Sequence, residues 1–207
     1  MNRNTFAQAT QKRVILLLTF FTLIGVFAGC KKGDDDPAIS FLSRKARLCN
    51  KWEVTSGVAS FVTSGSHETD LYSSGSNFLL QLNYNSYEGT YYYTIEIKKD
   101  GTYSIYKKLD MTYYQDFIYE ENGNWYFMSK NKDAGYKNKE CVAMQPLSIY
   151  DGTGTYTYTN ANPNVYDIVE LRNKKVVLSG LTRERVTEGS NIDEETVSQN
   201  LTLEPAK

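Results

Sequence analysis

Acid–base and metal chemistry near neutral pH leans on histidine, and this chain has one, His67, inside a Ser- and Gly-rich stretch at residues 64–76. A triad or a metal site needs partners at defined spacing, and none stands beside it. Gly152 and Gly154 lack the Lys-Ser/Thr pair and the following helix of a phosphate loop. The run Asp34 to Asp36 lacks the alternating spacing and bidentate Glu of a calcium loop. Paired carboxylates, as in a glycosidase, leave no local signature, and nothing in the sequence proposes them. The expectation is therefore no catalytic set, no cofactor and no metal site. What stands out is aromatic: Trp52, Trp125, and Tyr103 among 17 tyrosines. Such rings could stack on a sugar or an apolar ligand, or fill the interior of a small barrel.

The remaining chemistry belongs to the three cysteines. Cys30 closes the sequence FAGC, after an uncharged run from Val14 to Gly29 that Arg3, Lys12 and Arg13 precede. A basic segment, an apolar segment and small residues are the marks of a secretory signal. The ending resembles the lipobox of bacterial lipoproteins, in which the leader is cut before a cysteine bearing diacylglycerol. Residues 1–29 are then the leader, and Cys30 is the lipidation site. Two or three acyl chains, palmitate being typical, hold a protein stably where one does not. The segment Lys31 to Asp36 is a solvated tether. It also resembles the lysine-plus-acidic export signal of Bacteroidota lipoproteins. That implies the outer membrane with the domain facing the cell surface, the periplasmic face being the alternative. In such a compartment Cys49 and Cys141 could pair as one disulfide or remain two small buried side chains.

Beyond the leader, 20 basic residues face 24 acidic ones, a mildly negative balance that recommends no nucleic-acid partner. The length suits a single domain. Tyrosine, threonine and valine favour strands. Ile39, Leu42, Ala46 and Cys49 recur at helical spacing and predict a short helix with these residues on one side. From Trp52 onward the period is two. Tyr91, Tyr93, Ile95 and Ile97 share one face, Asp100-Gly101 makes a tight turn, and Tyr103 and Ile105 return. The same reading gives turns at Asn122-Gly123, between Phe117/Tyr119 and Trp125/Phe127, at Asp151-Gly152 and at Asn173. Residues 188–195 form a polar stretch before a last run with Leu201 and Leu203. Residues 64–76 and 130–139 read as long loops around the mouth of the barrel. Nine or ten strands joined this way predict an all-β, antiparallel up-and-down meander, and closing it into a barrel removes the exposed edges.

LCNKWEV (residues 48–54), IKKDGTYSIY, GNWYFM and YDIVELRNKKVVL fall where lipocalin-like lipoproteins of Bacteroidota carry their strand motifs. The chain resembles that family over most of residues 40–183, through Trp52, Asp100 to Tyr103, Gly123, Trp125, Tyr166, Ile168 and Leu171. The resemblance implies a leader (1–29), a lipidated cysteine with an acidic tether (30–37) and a lipocalin-like β-barrel domain (38–207). It implies no shared catalytic set.

The expected function is a non-catalytic binding or interaction module at the cell envelope. Its partners are the membrane, through lipid on Cys30, and a small apolar or sugar ligand or a neighbouring envelope protein. The alternative is a solid barrel serving as a structural accessory subunit of an outer-membrane complex, docking through outward tyrosines.

Overall fold

The computed structural model describes residues 42–62, 67–73, 76–112, 115–130, 140–188 and 191–207; the side chains of Phe61, His67, residues 181–188 and residues 191–195 are outside that description. The leader, Cys30, the tether and Ile39 therefore lie outside the described residues.

A five-residue helix, α1 (Arg44–Leu48), precedes the strands. Ser43 caps it, its hydroxyl accepting from the Ala46 amide at 3.1 Å. The helix buries Arg44, Arg47 and Leu48, while Leu42 is exposed. The buried face is thus rotated from the expected Leu42/Ala46 side. A five-residue helix makes little more than one turn, and its orientation is set by Leu48 and the Arg47 guanidinium, which donates to the Leu171 carbonyl.

Eleven strands follow among the described residues: β1 (Lys51–Val62), β2 (His67–Ser73), β3 (Asn77–Leu82), β4 (Asn85–Ile97), β5 (Thr102–Met111), β6 (Phe117–Phe127), β7 (Cys141–Tyr150), β8 (Thr155–Thr157), β9 (Asn164–Arg172), β10 (Lys175–Glu188) and β11 (Asn191–Pro205). All pairings are antiparallel; the first and last strands pair as β1–β11 in the middle of the order, and the β6–β7 pairing closes the sheet into a ring. The result is a barrel-like, all-β ring with a short N-terminal helix.

The ring has two storeys. At its base, Lys51–Glu53 of β1 pair directly with Thr94–Glu96 of β4. Higher up, β1 leaves β4 and pairs with β2 from Gly57 to Val62, while β3 pairs with β4. The base is therefore a circuit of β1, β4, β5, β6, β7, β9, β10 and β11, and the β2–β3 hairpin is wedged into the wall above it. Strand number sets diameter, and eight strands enclose a space that side chains can fill. Two more strands widen the upper storey.

The Asp100-Gly101 turn forms as expected: Ile97 faces Tyr103 across β4 and β5, and Gly101 takes φ +97°, open to glycine at no steric cost. The turns at Asp151-Gly152 and Asn173 also form, between β7 and β8 and between β9 and β10. Two expectations are corrected. Asn122-Gly123 is not a turn, because β6 runs through it from Phe117 to Phe127. Gly123 serves close approach instead: a Cβ there would lie 2.1 Å from the Gln145 carbonyl oxygen and 2.8 Å from the Tyr103 ring. The stretch 64–76 is not one long loop, since it contains β2. The polar stretch 188–195 is mostly strand, with β10 and β11 laddered out to Glu188 and Asn191. Residues 131–139 lie outside the described residues. The chain ends flanking them belong to the base, where the Met128 amide donates to the Cys141 carbonyl, and not to the mouth.

Candidate functional site

Alternation along the strands decides what faces inward. On β5 the inward positions are Tyr103, Ile105, Lys107, Leu109 and Met111; on β6 they are Phe117, Tyr119, Glu121, Gly123 and Trp125. Read from base to mouth, both strands change from apolar or aromatic to polar and back, and β2 adds Glu68, Asp70 and Tyr72.

At the base the interior is solid. Trp52, Leu48, Leu171, Val176 and Leu203 are all fully buried. The Trp52 indole donates to the Leu48 carbonyl at 2.8 Å, which satisfies an end group of α1, and the Trp125 indole donates to the Lys98 carbonyl at 2.8 Å. Trp125 packs edge-on against Phe127. Neither tryptophan reaches the cavity above.

That cavity has a volume of about 660 Å³. Its apolar wall is Leu80, Ile105, Leu109, Met111, Phe117 and Val197. Its polar wall contains two tyrosine–carboxylate systems. In the first, Glu121, 4 % exposed, accepts from the Tyr103 hydroxyl on Oε1 and from the Tyr119 hydroxyl on Oε2. Gly123 makes this arrangement possible, because the Tyr103 ring lies where a Cβ would project. Burial, and then the Glu121 charge, push the Tyr103 and Tyr119 phenols far above their ordinary range. Burial does the same to Tyr93 and Tyr166. The Tyr166 hydroxyl donates to Gln199 Oε1 at 3.4 Å.

The second system centres on Asp70, 1 % exposed. Its Oδ2 accepts from Lys107 Nζ at 2.7 Å and from the Tyr72 hydroxyl at 2.7 Å. Among the described residues its buried Oδ1 has no hydrogen-bond partner. Tyr72 is fixed by edge-on contacts with Tyr91 and Tyr93, at 5.0 and 5.7 Å between centroids. The Lys107 ammonium lies 5.5 Å from the Tyr72 ring centre and 5.8 Å from that of Phe117, within cation–π range. Glu68, two residues before Asp70 on the same strand face, has its carboxyl pushed upward by burial and then by the Asp70 charge, with Lys107 opposing.

Of the residues singled out from sequence, Trp52 and Trp125 sit in the solid base. Tyr103 stands between base and cavity and reaches the site through Glu121. Cys49 and Cys141 are both free thiols. The Cys141 thiol donates to Asp167 Oδ1 at 3.0 Å, and burial, then that bond, push it up to about 12. His67 begins β2. Among the described residues no cluster of three or more His, Cys, Asp or Glu could hold a metal ion, and no helix is long and apolar enough to cross a membrane.

The sequence reading missed Glu68, Asp70, Lys107 and Glu121. The available signal was a charge at an inward position of an alternating strand: Lys107 between Ile105 and Leu109, and Glu121 between Tyr119 and Gly123. Such positions are costly to fill with charge unless partners are built in. No family model, curated protein or solved structure matches the chain.

Proposed function

We propose that this chain is a membrane-anchored lipoprotein whose barrel is a non-catalytic binding module at the cell envelope, taking a small ligand into the cup above its solid base. The observation that carries this reading is the 660 Å³ cavity itself, with an apolar wall and a few convergent polar groups, the usual make-up of a small-molecule site. A non-catalytic role is supported by Glu121, whose two oxygens are both engaged by phenol donors and so are poorly placed to take a proton from a substrate. The anchoring part rests on the FAGC ending at Cys30 and on the likeness to lipocalin-like lipoproteins of Bacteroidota, which also supports an outer-membrane, surface-facing location.

The neutral dye N-phenyl-1-naphthylamine, whose emission rises in apolar surroundings, tests the cup. Binding at one site per chain is expected, with loss on Leu109→Trp, which fills the cavity wall. A dye that does not bind, or that binds equally to Leu109→Trp, overturns the ligand reading. Mass spectrometry of the mature N-terminus tests the anchor, and a peptide retaining residues upstream of Cys30 refutes it.

A second reading, the accessory subunit, draws on the outward tyrosines Tyr92, Tyr126 and Tyr156, each between 44 and 49 % exposed. Crosslinking in intact cells would recover a reproducible partner under that reading. Recovery of none counts against it.

A further inference from the structure

We propose that the cup selects an organic cation: a primary ammonium on an apolar or aromatic body, its head seated between Asp70 and Glu68 and its body against the apolar wall. The inference rests on the reading of the cup as a ligand site and assigns that site its chemistry.

Three observations carry it. The first is the free acceptor. Asp70 lines the cavity, its side chain is 2 % exposed, and its Oδ1 has no partner among the described residues. A buried carboxylate oxygen left unpaired is costly, and the cost disappears when a donor arrives. The second is the balance of charge. Among the described lining residues, Glu68, Asp70, Glu121 and Asp151 carry carboxyl groups against the single ammonium of Lys107. Glu121 is engaged by its two tyrosines, and Asp151 is tied into its turn by the Thr153 and Gly154 amides. Asp70 and Glu68 share one lysine, so one more positive charge balances that pair. The third is that the cup already holds an ammonium in this manner. Lys107 Nζ bonds Asp70 Oδ2 at 2.7 Å and lies over the Tyr72 and Phe117 rings. A ligand ammonium held by Glu68, with Asp70 turned to offer Oδ1, would repeat that recognition on the same strand face.

The alternatives fit less well. An anionic head would meet several carboxyl groups, and the one lysine facing it is already neutralised by Asp70. A neutral sugar needs donors as well as acceptors from the wall. Of the three tyrosines that line the cavity, Tyr119 and Tyr166 commit their hydroxyls to Glu121 and Gln199, which leaves few wall donors beside Tyr93. An ammonium only donates, which suits the carboxylates of Glu68 and Asp70.

The test titrates the full chain at pH 7 by calorimetry with tryptamine, tryptophol and indole-3-acetate, which share a ring and differ in head charge. The expected order is tryptamine tightest by at least about tenfold over tryptophol, with indole-3-acetate weakest. Glu68→Gln, which removes a charge without breaking an internal hydrogen bond, should lower tryptamine affinity severalfold and leave tryptophol unchanged. Asp70→Asn should abolish the preference for the amine. If Asp70→Asn fails to fold, Glu68→Gln carries the test alone. Equal binding of tryptamine and tryptophol, or tightest binding of indole-3-acetate, overturns the cation while the dye's continued binding leaves the ligand site standing. If neither the dye nor any of the three binds, both readings fall together.

Discussion

Trp52 and Asp70 are buried alike, at 0 and 1 % exposed, yet they are held by opposite means. Trp52 lies among aliphatic side chains and has one polar atom, which a helix carbonyl satisfies at once. Asp70 lies among tyrosines and a lysine, and one of its two oxygens is left over. The Trp52 indole is thus complete in itself, whereas the Asp70 carboxylate has room for a further donor. Burial alone does not separate these two residues. The satisfaction of their polar atoms does.

The two regions should respond to different insults. The largest effect is alkaline. Tyr72, Tyr93, Tyr103, Tyr119 and Tyr166, all in or beside the cup, have phenols raised by burial, and Tyr91 is raised to about 12. The fold holds the neutral phenol, so this stabilisation is full below the unfolded value of about 10 and is lost as pH rises through and above it. Each tyrosine that stays protonated costs up to about 1.4 kcal/mol per pH unit beyond that point. Melting temperatures taken from pH 9 to 12 should therefore fall steeply above pH 10. A flat profile would mean that the phenols are not held as described.

Trp52→Ala attacks the other region. It opens a large cavity in the base and strips a donor from the end of α1, for a loss of about 3–5 kcal/mol in urea unfolding. Asp70→Ala leaves Lys107 and Tyr72 without their acceptor and should cost about 2–3 kcal/mol. Adding Lys107→Met should recover part of that, which a double-mutant cycle would read. Gly123→Ala pushes a methyl group into the Gln145 carbonyl and the Tyr103 ring, for about 1–3 kcal/mol by the same measurement. The smallest effect has the opposite sign. Glu68→Gln removes a carboxylate held beside Asp70 without a hydrogen bond of its own, and should raise stability by about a few tenths of a kcal/mol, solvent screening keeping the gain small. Stabilisation here together with weaker amine binding would show that the charge serves the ligand at the expense of the fold.

What the sequence made legible follows from which of these regions wrote it. The β4–β5 hairpin could be read directly, because Tyr91, Tyr93, Ile95 and Ile97 alternate cleanly and Asp100-Gly101 has no other use. The apolar base announces itself in the same way, through Trp52 and Leu203. The cup does not. β2 reads HETDLYS, so its inward residues Glu68, Asp70 and Tyr72 are the polar ones, and a test for apolar alternation takes it for a loop. Asn122-Gly123 has the composition of a turn, but its glycine answers a ring on the neighbouring strand, a requirement invisible along a single strand. Aromatic residues drew attention to the base, while the carboxylates and the lysine that shape the cavity looked like ordinary surface charges.

The wedge of β2 and β3 above the β1–β4 contact has a further consequence. The two carboxylates proposed to seat the ligand head, Glu68 and Asp70, ride on that inserted hairpin, and the eight-stranded circuit beneath closes without it. Selectivity and scaffold are therefore carried by separable parts of the chain. Exchanging the hairpin is a graft and not a redesign: a replacement β2 with different inward residues would change what the cup accepts while the ring that holds it together keeps its own register.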